Sequence, residues 1–190
     1  MQENKKLYET DPEFMERFDA FANEEVVNEP GQQLDGATRH MAILASLIGC
    51  QGVEVYKAML PPALESGLTP VMVKEIVYQA VDYLGMGRVY PFLTATNGVM
   101  RALDIELPLK GQATTTMKDR LEKGAQAQAD IFGAHMKDFW KGGYINRWLA
   151  ANCFGDYYTR NGLDLKQREL ITLCFLFAQG GCEAQLISHV

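Results

Sequence analysis

The sequence predicts an all-α protein built as a helical bundle, and three observations support this fold class. Apolar residues recur every three or four positions along most of the chain, the period of a helix with one buried face. Residues that cap helices precede several of these stretches, and glycine follows most of them. The short strand-like runs lie inside longer helical patterns, so we do not expect a sheet.

The first half of the chain predicts five helices. Asp35 and the Thr69-Pro70 pair are placed as helix starts, because a side-chain oxygen at the N-cap accepts a free N–H group of the first turn. The predicted helices run from Pro12 past Phe21 to the break at Pro30, from Asp35 to Gly49, from about Val53 to Leu64 with a break or kink at Pro61-Pro62, from Thr69 to Gly85, and from Tyr90 to Leu103. A linker containing Pro108 is expected at 106–111.

The second half predicts four more helices. Asp164 and Gln167 have the spacing of a capping box, in which each side chain bonds the backbone N–H of the other. The predicted helices are a long amphipathic one from Met117 to Trp140, one from Ile145 to Arg160, one from Asp164 to Gln179, and a last one beginning at Cys182. Leu170 to Ala178 is apolar apart from Thr172, so we expect protein on every side of it.

An internal repeat organises the chain. The run Leu34 to Arg39 parallels Leu163 to Arg168, and each precedes an apolar helix, a glycine turn and another helix. We therefore predict two tandem units, residues 1–105 and 112–190. The second has no counterpart to the stretch Thr69 to Met100, so either the chain is truncated or another subunit covers the exposed apolar surface.

Composition and charge exclude several classes of protein. The net charge is −6, and we see no basic stripe for phosphates, so we expect no nucleic-acid partner. The polar start of the chain has no apolar signal region, and the longest apolar run is too short to span a bilayer, so we expect a cytoplasmic protein with no membrane partner. The scattered cysteines, which form no zinc-type pattern, are expected to be free thiols with no metal site: Cys50, Cys153, Cys174 and Cys182.

The last two predicted helices bring candidate site residues together. A Gly180-Gly181 turn should fold them into an antiparallel hairpin, and the helical rise of about 1.5 Å per residue places Glu169 and His189 within about a turn of the same level. Cys182, Gln185 and His189 share one face of the last helix. At the start of that helix, the backbone N–H groups and dipole would favour a Cys182 thiolate.

This terminal hairpin, LDLKQRELITLCFLFAQGGCEAQLISHV, resembles the active-site hairpin of the carboxymuconolactone decarboxylase and alkylhydroperoxidase D superfamily. The resemblance covers nearly the whole chain as two tandem units. It implies a site made of Glu169, Cys182 and His189, a role in the breakdown of aromatic compounds, and a homo-oligomer, with dimer, trimer and hexamer all open.

The chain departs from the superfamily pattern at two places. Alkylhydroperoxidase D relatives carry Cys-x-x-Cys before the histidine, whereas the second cysteine position here is Gln185. The first repeat has His40 at the position of Glu169, with Gly52 and Met59 at those of the cysteine and histidine, so we expect it to be scaffold.

Three functions remain open from the sequence. The first is cofactor-free decarboxylation of a carboxylated lactone or similar small acid, with His189 in acid–base work, Glu169 orienting it, and Arg168 and Gln185 binding substrate. The second is a thiol peroxidase in which Cys182 attacks. The third is a non-enzymatic helical oligomer, in which His189 and Glu169 are surface or capping groups and Cys182 is an inert small residue.

Overall fold

The computed structural model describes residues 7–189, and within them the chain is helical with no strand, which confirms the predicted all-α class. A helical turn at 7–10 comes first. The helices are α1 (Pro12–Asp19), α2 (Gly36–Gly49), α3 (Val53–Glu65), α4 (Pro70–Leu84), α5 (Met86–Ala102), α6 (Arg120–Phe132), α7 (Tyr144–Trp148), α8 (Leu165–Gln179) and α9 (Glu183–Ile187). Two π-helical segments, Ala20–Glu25 and Leu149–Tyr158, continue α1 and α7, and a three-residue helical stretch, Val26–Asn28, follows the first of them.

The predicted caps are present at three helix starts. Asp35 accepts a hydrogen bond from the backbone N–H of Thr38 at 2.9 Å, and Thr69 accepts one from Met72 at 3.2 Å. Asp164 and Gln167 form the reciprocal capping box. Each cap satisfies N–H groups that the first turn leaves free, so the chain enters these helices at the predicted positions.

Two predicted helices differ in the structure. The expected helix to Trp140 ends at Phe132, because Gly133 adopts φ +108°, which a right-handed helix does not allow. Short 3₁₀ turns at Ala134–Met136 and Phe139–Gly142 follow. Conversely, α3 continues through the two prolines expected to break or kink it, since packing on both sides outweighs the lost hydrogen bonds: Leu60 and Ala63 are fully buried.

The main core is shared by the two halves of the chain. Helix α8 packs against α2 and α4, and its Ile171 and Phe175 belong to the same buried cluster as Leu44 and Val77. A smaller cluster around Phe154 lies between α6 and the second π-helical segment. The predicted unit boundary between 105 and 112 falls in a stretch without helix, and it stays a prediction.

The close approach of α6 to the second π-helical segment depends on glycine. A Cβ on Gly124 would lie 1.8 Å from the carbonyl oxygen of Ala150, and one on Gly155 would lie 2.1 Å from that of Arg120. Both separations are far below van der Waals contact. The absence of side chains at these two positions therefore lets the backbones touch, which fixes one wall of the cavity described below.

Helix α8 is not enclosed on all sides in the single chain, so the expectation of complete burial is wrong here. Its inner face is buried at Ile171, Thr172 and Phe175, but Phe177 is 76% exposed. A helix turns once every 3.6 residues, so the side chains of a continuous apolar run point in all directions around its axis. The neighbouring helices of the single chain cover only one side of α8. None of the helices in 7–189 combines the length and apolarity needed to cross a bilayer.

Candidate functional site

The terminal hairpin positions the first pair of candidate residues. Helix α8 ends at Gln179, and Gly180 and Gly181 reverse the chain with φ values of +70° and +67°, a left-handed conformation that glycine adopts without strain. The chain then returns along α8 through α9. This brings the residue after the last turn back beside the first turns of α8, as the spacing predicted.

His189 and Glu169 are in direct contact. The Nδ1 atom of His189 lies 2.6 Å from Oε2 of Glu169, and the two side chains are 10% and 25% exposed. A ring nitrogen beside a carboxylate carries the proton, which leaves Nε2 to accept a proton when the imidazole is neutral. Among the described residues, Nε2 has no hydrogen-bond partner, so it is the nitrogen available to a bound molecule.

Aromatic residues hold the imidazole in place. The ring of Tyr83 meets that of His189 edge to face, with centroids 5.9 Å apart. The Tyr83 hydroxyl bonds that of Tyr158 at 3.0 Å, and Tyr158 bonds Thr172 of α8 at 3.2 Å. Burial raises the pKa of both tyrosines well above the usual range, so both hydroxyls stay protonated.

A cavity of about 620 Å³ opens beside this pair. Apolar side chains including Phe132, Trp148 and Phe154 line much of it, and no lysine or arginine is among its described lining residues. Its polar lining comprises Asp82, Gln128, His135, Asn152, Gln185, Ser188 and His189. The volume suits a small molecule, and the wall combines an apolar surface with a few polar groups, as ligand sites commonly do.

Asp82 is the most perturbed acid on this wall. Burial raises its pKa to about 7, the nearby Asp156 carboxylate adds to the increase, and a hydrogen bond with Cys153 opposes it. Its Oδ2 atom is buried without a hydrogen-bond partner in the described part of the chain. Near neutral pH this carboxyl group can therefore both donate and accept a proton.

The cysteines do not join the Glu169–His189 pair as the sequence suggested. Cys182 stands at the start of α9, where its thiol donates to the carbonyl of Leu176 at 3.4 Å, and it is not among the residues lining the cavity. Cys153 does line the cavity, 3.9 Å from the Tyr83 hydroxyl. Burial, reinforced by Asp82, raises the pKa of Cys153 well above its ordinary value, so that thiol stays protonated.

The two predicted substrate-binding residues are placed differently. Gln185 lines the cavity, whereas Arg168 is 1% exposed and absent from its lining. Arg168 donates to Gln79, Glu75 and the carbonyl of Arg160, all inside the protein. The guanidinium is therefore bound within the fold, and the expectation that it faces the substrate is not met.

In the first repeat, the positions matching the predicted site carry other groups. His40 bonds the carbonyl of Gly36 at 2.8 Å, which is a contact within its own helix. Gly52 precedes α3, and Met59 packs against the main core. These contacts are local or structural.

Sequence reasoning missed Asp82, Tyr83, Gln128 and Cys153. Tyr83 and Asp82 come from α4, in the repeat that was expected to serve as scaffold. One cue was available for Gln128, which shares the apolar face of α6 with Ala125 and Phe132 at helical spacing. A polar residue on a buried face requires a partner or a role.

Comparison with known proteins gives one family. The model of the carboxymuconolactone decarboxylase family matches residues 12–97, which span α1 to most of α5 and include Asp82 and Tyr83. No curated protein matches the chain.

Proposed function

We propose that this protein, whose residues 12–97 match the carboxymuconolactone decarboxylase family, is a cofactor-free acid–base enzyme that decarboxylates a small carboxylated lactone or similar acid. One observation carries the proposal: His189, joined to Glu169 at 2.6 Å, lines a cavity of about 620 Å³ with largely apolar walls. A carboxylate that fixes one ring nitrogen and leaves the other to a ligand is the usual arrangement for general acid–base work.

The proposed reaction requires a correctly placed proton donor but no external electron acceptor. When the bond to the leaving carboxylate breaks, its electron pair passes into the lactone carbonyl through the conjugated ring, carbon dioxide departs, and an enolate oxyanion remains. A proton delivered to the ring carbon then completes the reaction. The lactone itself accepts the electron pair, so no metal, pyridoxal or thiamine is required by this chemistry.

His189 is proposed to hold and deliver that proton from Nε2. Glu169, bonded at Nδ1, would fix the tautomer of the ring and the direction of Nε2. The protonated Tyr83 hydroxyl is a candidate donor to the developing oxyanion, because it belongs to the same wall and packs on the imidazole. The apolar walls lower the local dielectric constant, which strengthens each of these interactions.

A thiol peroxidase is the second candidate, and the geometry supports it less. Cys182 is held by the carbonyl of Leu176 away from the cavity lining, and Gln185 replaces a resolving thiol. Cys153 lies at the cavity, but its pKa is raised by burial, which disfavours the thiolate that attacks peroxide.

Assembly as a homo-oligomer is part of the proposal. Large apolar side chains at the cavity and near the hairpin are exposed in the single chain, among them Ile145 at 70%, Trp148 at 56% and Ile187 at 73%. Their burial against other copies would remove apolar surface from water. Dimer, trimer and hexamer remain open, and a cytoplasmic location stays a prediction.

The proposal is tested by carbon dioxide release from α,β-unsaturated γ-lactones that carry a carboxylate on the saturated γ carbon, from which the electron pair of the broken bond can pass into the conjugated ring carbonyl. The variants His189→Gln and Glu169→Gln should each lower turnover at least about a hundredfold. His40→Gln is the matched control, because that histidine bonds the carbonyl of Gly36 in its own helix and does not line the cavity, so turnover should stay unchanged.

Two outcomes would contradict the proposal. The first is wild-type protein that consumes hydroperoxide with a thiol donor, loses this activity in Cys182→Ser, and releases no carbon dioxide from any lactone. The second is lactone turnover that survives both substitutions of the Glu169–His189 pair.

A further inference from the structure

Gln128 is a polar side chain on the cavity wall that the proposed proton chemistry does not use. It is 0% exposed, and neither its Nε2 nor its Oε1 atom has a hydrogen-bond partner within residues 7–189. A buried amide in this state has given up its hydrogen bonds to water and gained none, which costs folding free energy. Such a cost has an explanation where a ligand supplies the missing partner.

Asp82 lines the same cavity and carries another unpartnered atom. Its Oδ2 is buried without a partner in the described chain, although the residue comes from α4 and Gln128 comes from α6. The groups that face Asp82 from the π-helical segment are the Cys153 thiol, the Asp156 carboxylate and the Tyr157 hydroxyl. None of the three is a cation, and the positive charge beside them, on Arg120 of α6, is paired with Asp156 rather than with Asp82.

The remaining titratable groups in the described lining are Tyr83, which stays protonated, and two histidines. His189 is paired with Glu169, and His135 comes from the 3₁₀ turn after α6. With no lysine or arginine in the described lining, an anionic ligand in this cavity would meet little fixed positive charge. Burying a carboxylate in such surroundings is costly unless a proton or strong donors accompany it.

We propose that Gln128 and Asp82 form a carboxyl-binding subsite, in which the Gln128 amide and a neutral Asp82 carboxyl group donate hydrogen bonds to a carboxylate of the substrate. One proton is then taken up with each ligand molecule. The Asp82 carboxyl group and the ligand carboxylate lie side by side in apolar surroundings, so they share one proton rather than both ionise. Burial already raises the pKa of Asp82 to about 7, so little further change is needed.

This inference rests on the proposed function and narrows its substrate class. A lactone with a second carboxylate, one that the reaction retains, would be anchored by Gln128 and Asp82. The ring carbon that gains a proton would then be left to Glu169 and His189. The two pairs are supplied by different elements, so the retained and the reacting ends of the substrate are recognised by separate groups.

Calorimetric titration tests the subsite through protons rather than turnover. The probes are γ-butyrolactone carrying a carboxymethyl group on the γ carbon, whose carboxylate corresponds to the retained one, and plain γ-butyrolactone, titrated at about pH 8 in phosphate and in Tris, whose ionisation enthalpies differ. We expect the carboxylated probe to bind with uptake of nearly one proton and the plain lactone to bind more weakly with none. Asp82→Asn should abolish the uptake and retain binding, since the asparagine amide still donates.

Gln128 is tested with variants that keep its volume. Gln128→Leu and Gln128→Met should weaken binding of the carboxylated probe about tenfold or more, because a buried hydrogen bond to a charged group is lost. The same variants should unfold at no lower temperature than wild type, since they remove an unpaired amide. Gln126→Leu, at an exposed position of the same helix, is the matched control and should leave affinity unchanged.

Several outcomes would overturn the subsite: no binding of the carboxylated probe, binding without proton uptake, uptake that persists in Asp82→Asn, or unchanged affinity in both Gln128 variants. Proton-linked binding without carbon dioxide release from any lactone would leave the subsite standing and contradict the proposed decarboxylation. Carbon dioxide release without proton-linked binding would support the proposed decarboxylation and contradict the subsite.

Discussion

Arg168 of α8 donates a hydrogen bond from Nη2 to Oε2 of Glu75 in α4 across 3.2 Å, and both side chains are 1% exposed. Arg160 adds bonds to both oxygens of the same carboxylate at 2.9 to 3.1 Å. Gln79 accepts from Arg168 and donates to Thr172. Glu75 therefore neutralises part of the charge of two arginines at the junction between the two halves of the chain.

Glu75→Gln should destabilise the protein by about 3–5 kcal/mol, because it leaves a fully buried arginine without its counter-ion. Thermal and urea unfolding measure the change. The matched control is Glu54→Gln, which removes one partner of an exposed pair with Lys57 and should cost at most about 0.5 kcal/mol. Equal effects of the two substitutions would mean that the buried charges are compensated in another way.

The caps and the terminal hairpin were predictable because their chemistry is local. A capping residue acts on N–H groups three residues away, so Asp35, Thr69 and Asp164 could be placed from the sequence alone. The contact between Glu169 and His189 followed from a glycine turn and the rise of a helix. The catalytic roles given to these two residues stay predictions.

The cavity wall was not predictable, because it depends on how distant helices pack. Asp82 and Gln128 are 46 positions apart in sequence and meet the same cavity only after α4 and α6 have packed on the second π-helical segment. The early end of α6 depends on the φ angle of Gly133, and an isolated glycine in an apolar helical pattern is compatible with either outcome.

Gly124→Ala should separate α6 from the second π-helical segment. The new methyl group would start 1.8 Å from the Ala150 carbonyl oxygen, a backbone atom that cannot move aside by itself. We expect a loss of at least about 3 kcal/mol in unfolding free energy, as in overpacked cores. Gly98→Ala in α5 is the control: nothing lies within 4 Å of its Cβ, so it should stabilise by about 0.5–1 kcal/mol. A tolerated Gly124→Ala would contradict the close contact.

The thiols should differ in their rates of alkylation. Cys50 is exposed, whereas Cys153 is 5% exposed and has a raised pKa because of burial and the nearby Asp82. With iodoacetamide at about pH 7.5, peptide mass spectrometry should find Cys50 modified first and Cys153 last, since the thiolate is the reacting form. Asp82→Asn should speed modification of Cys153 by removing a neighbouring negative charge. Rapid labelling of Cys153 in the wild type would make it a candidate nucleophile.

The dependence of stability on pH should report the burial of Asp82. Its pKa rises from an ordinary 3.8 in the unfolded chain to about 7 in the folded protein, chiefly through burial. The folded state therefore binds the proton more tightly, and the stability from this group is fully present below about pH 4 and is lost as the pH rises through about 7. At about 1.4 kcal/mol per pKa unit, the loss amounts to about 4 kcal/mol.

Asparagine does not titrate, so the unfolding free energy of Asp82→Asn relative to wild type should rise by this amount between about pH 4 and pH 8. Urea unfolding of both proteins across that range measures the difference, in which the titration of all other groups largely cancels. A difference that stays constant with pH, or that falls as the pH rises, would mean that the Asp82 carboxyl group is ionised and stabilised in the folded protein.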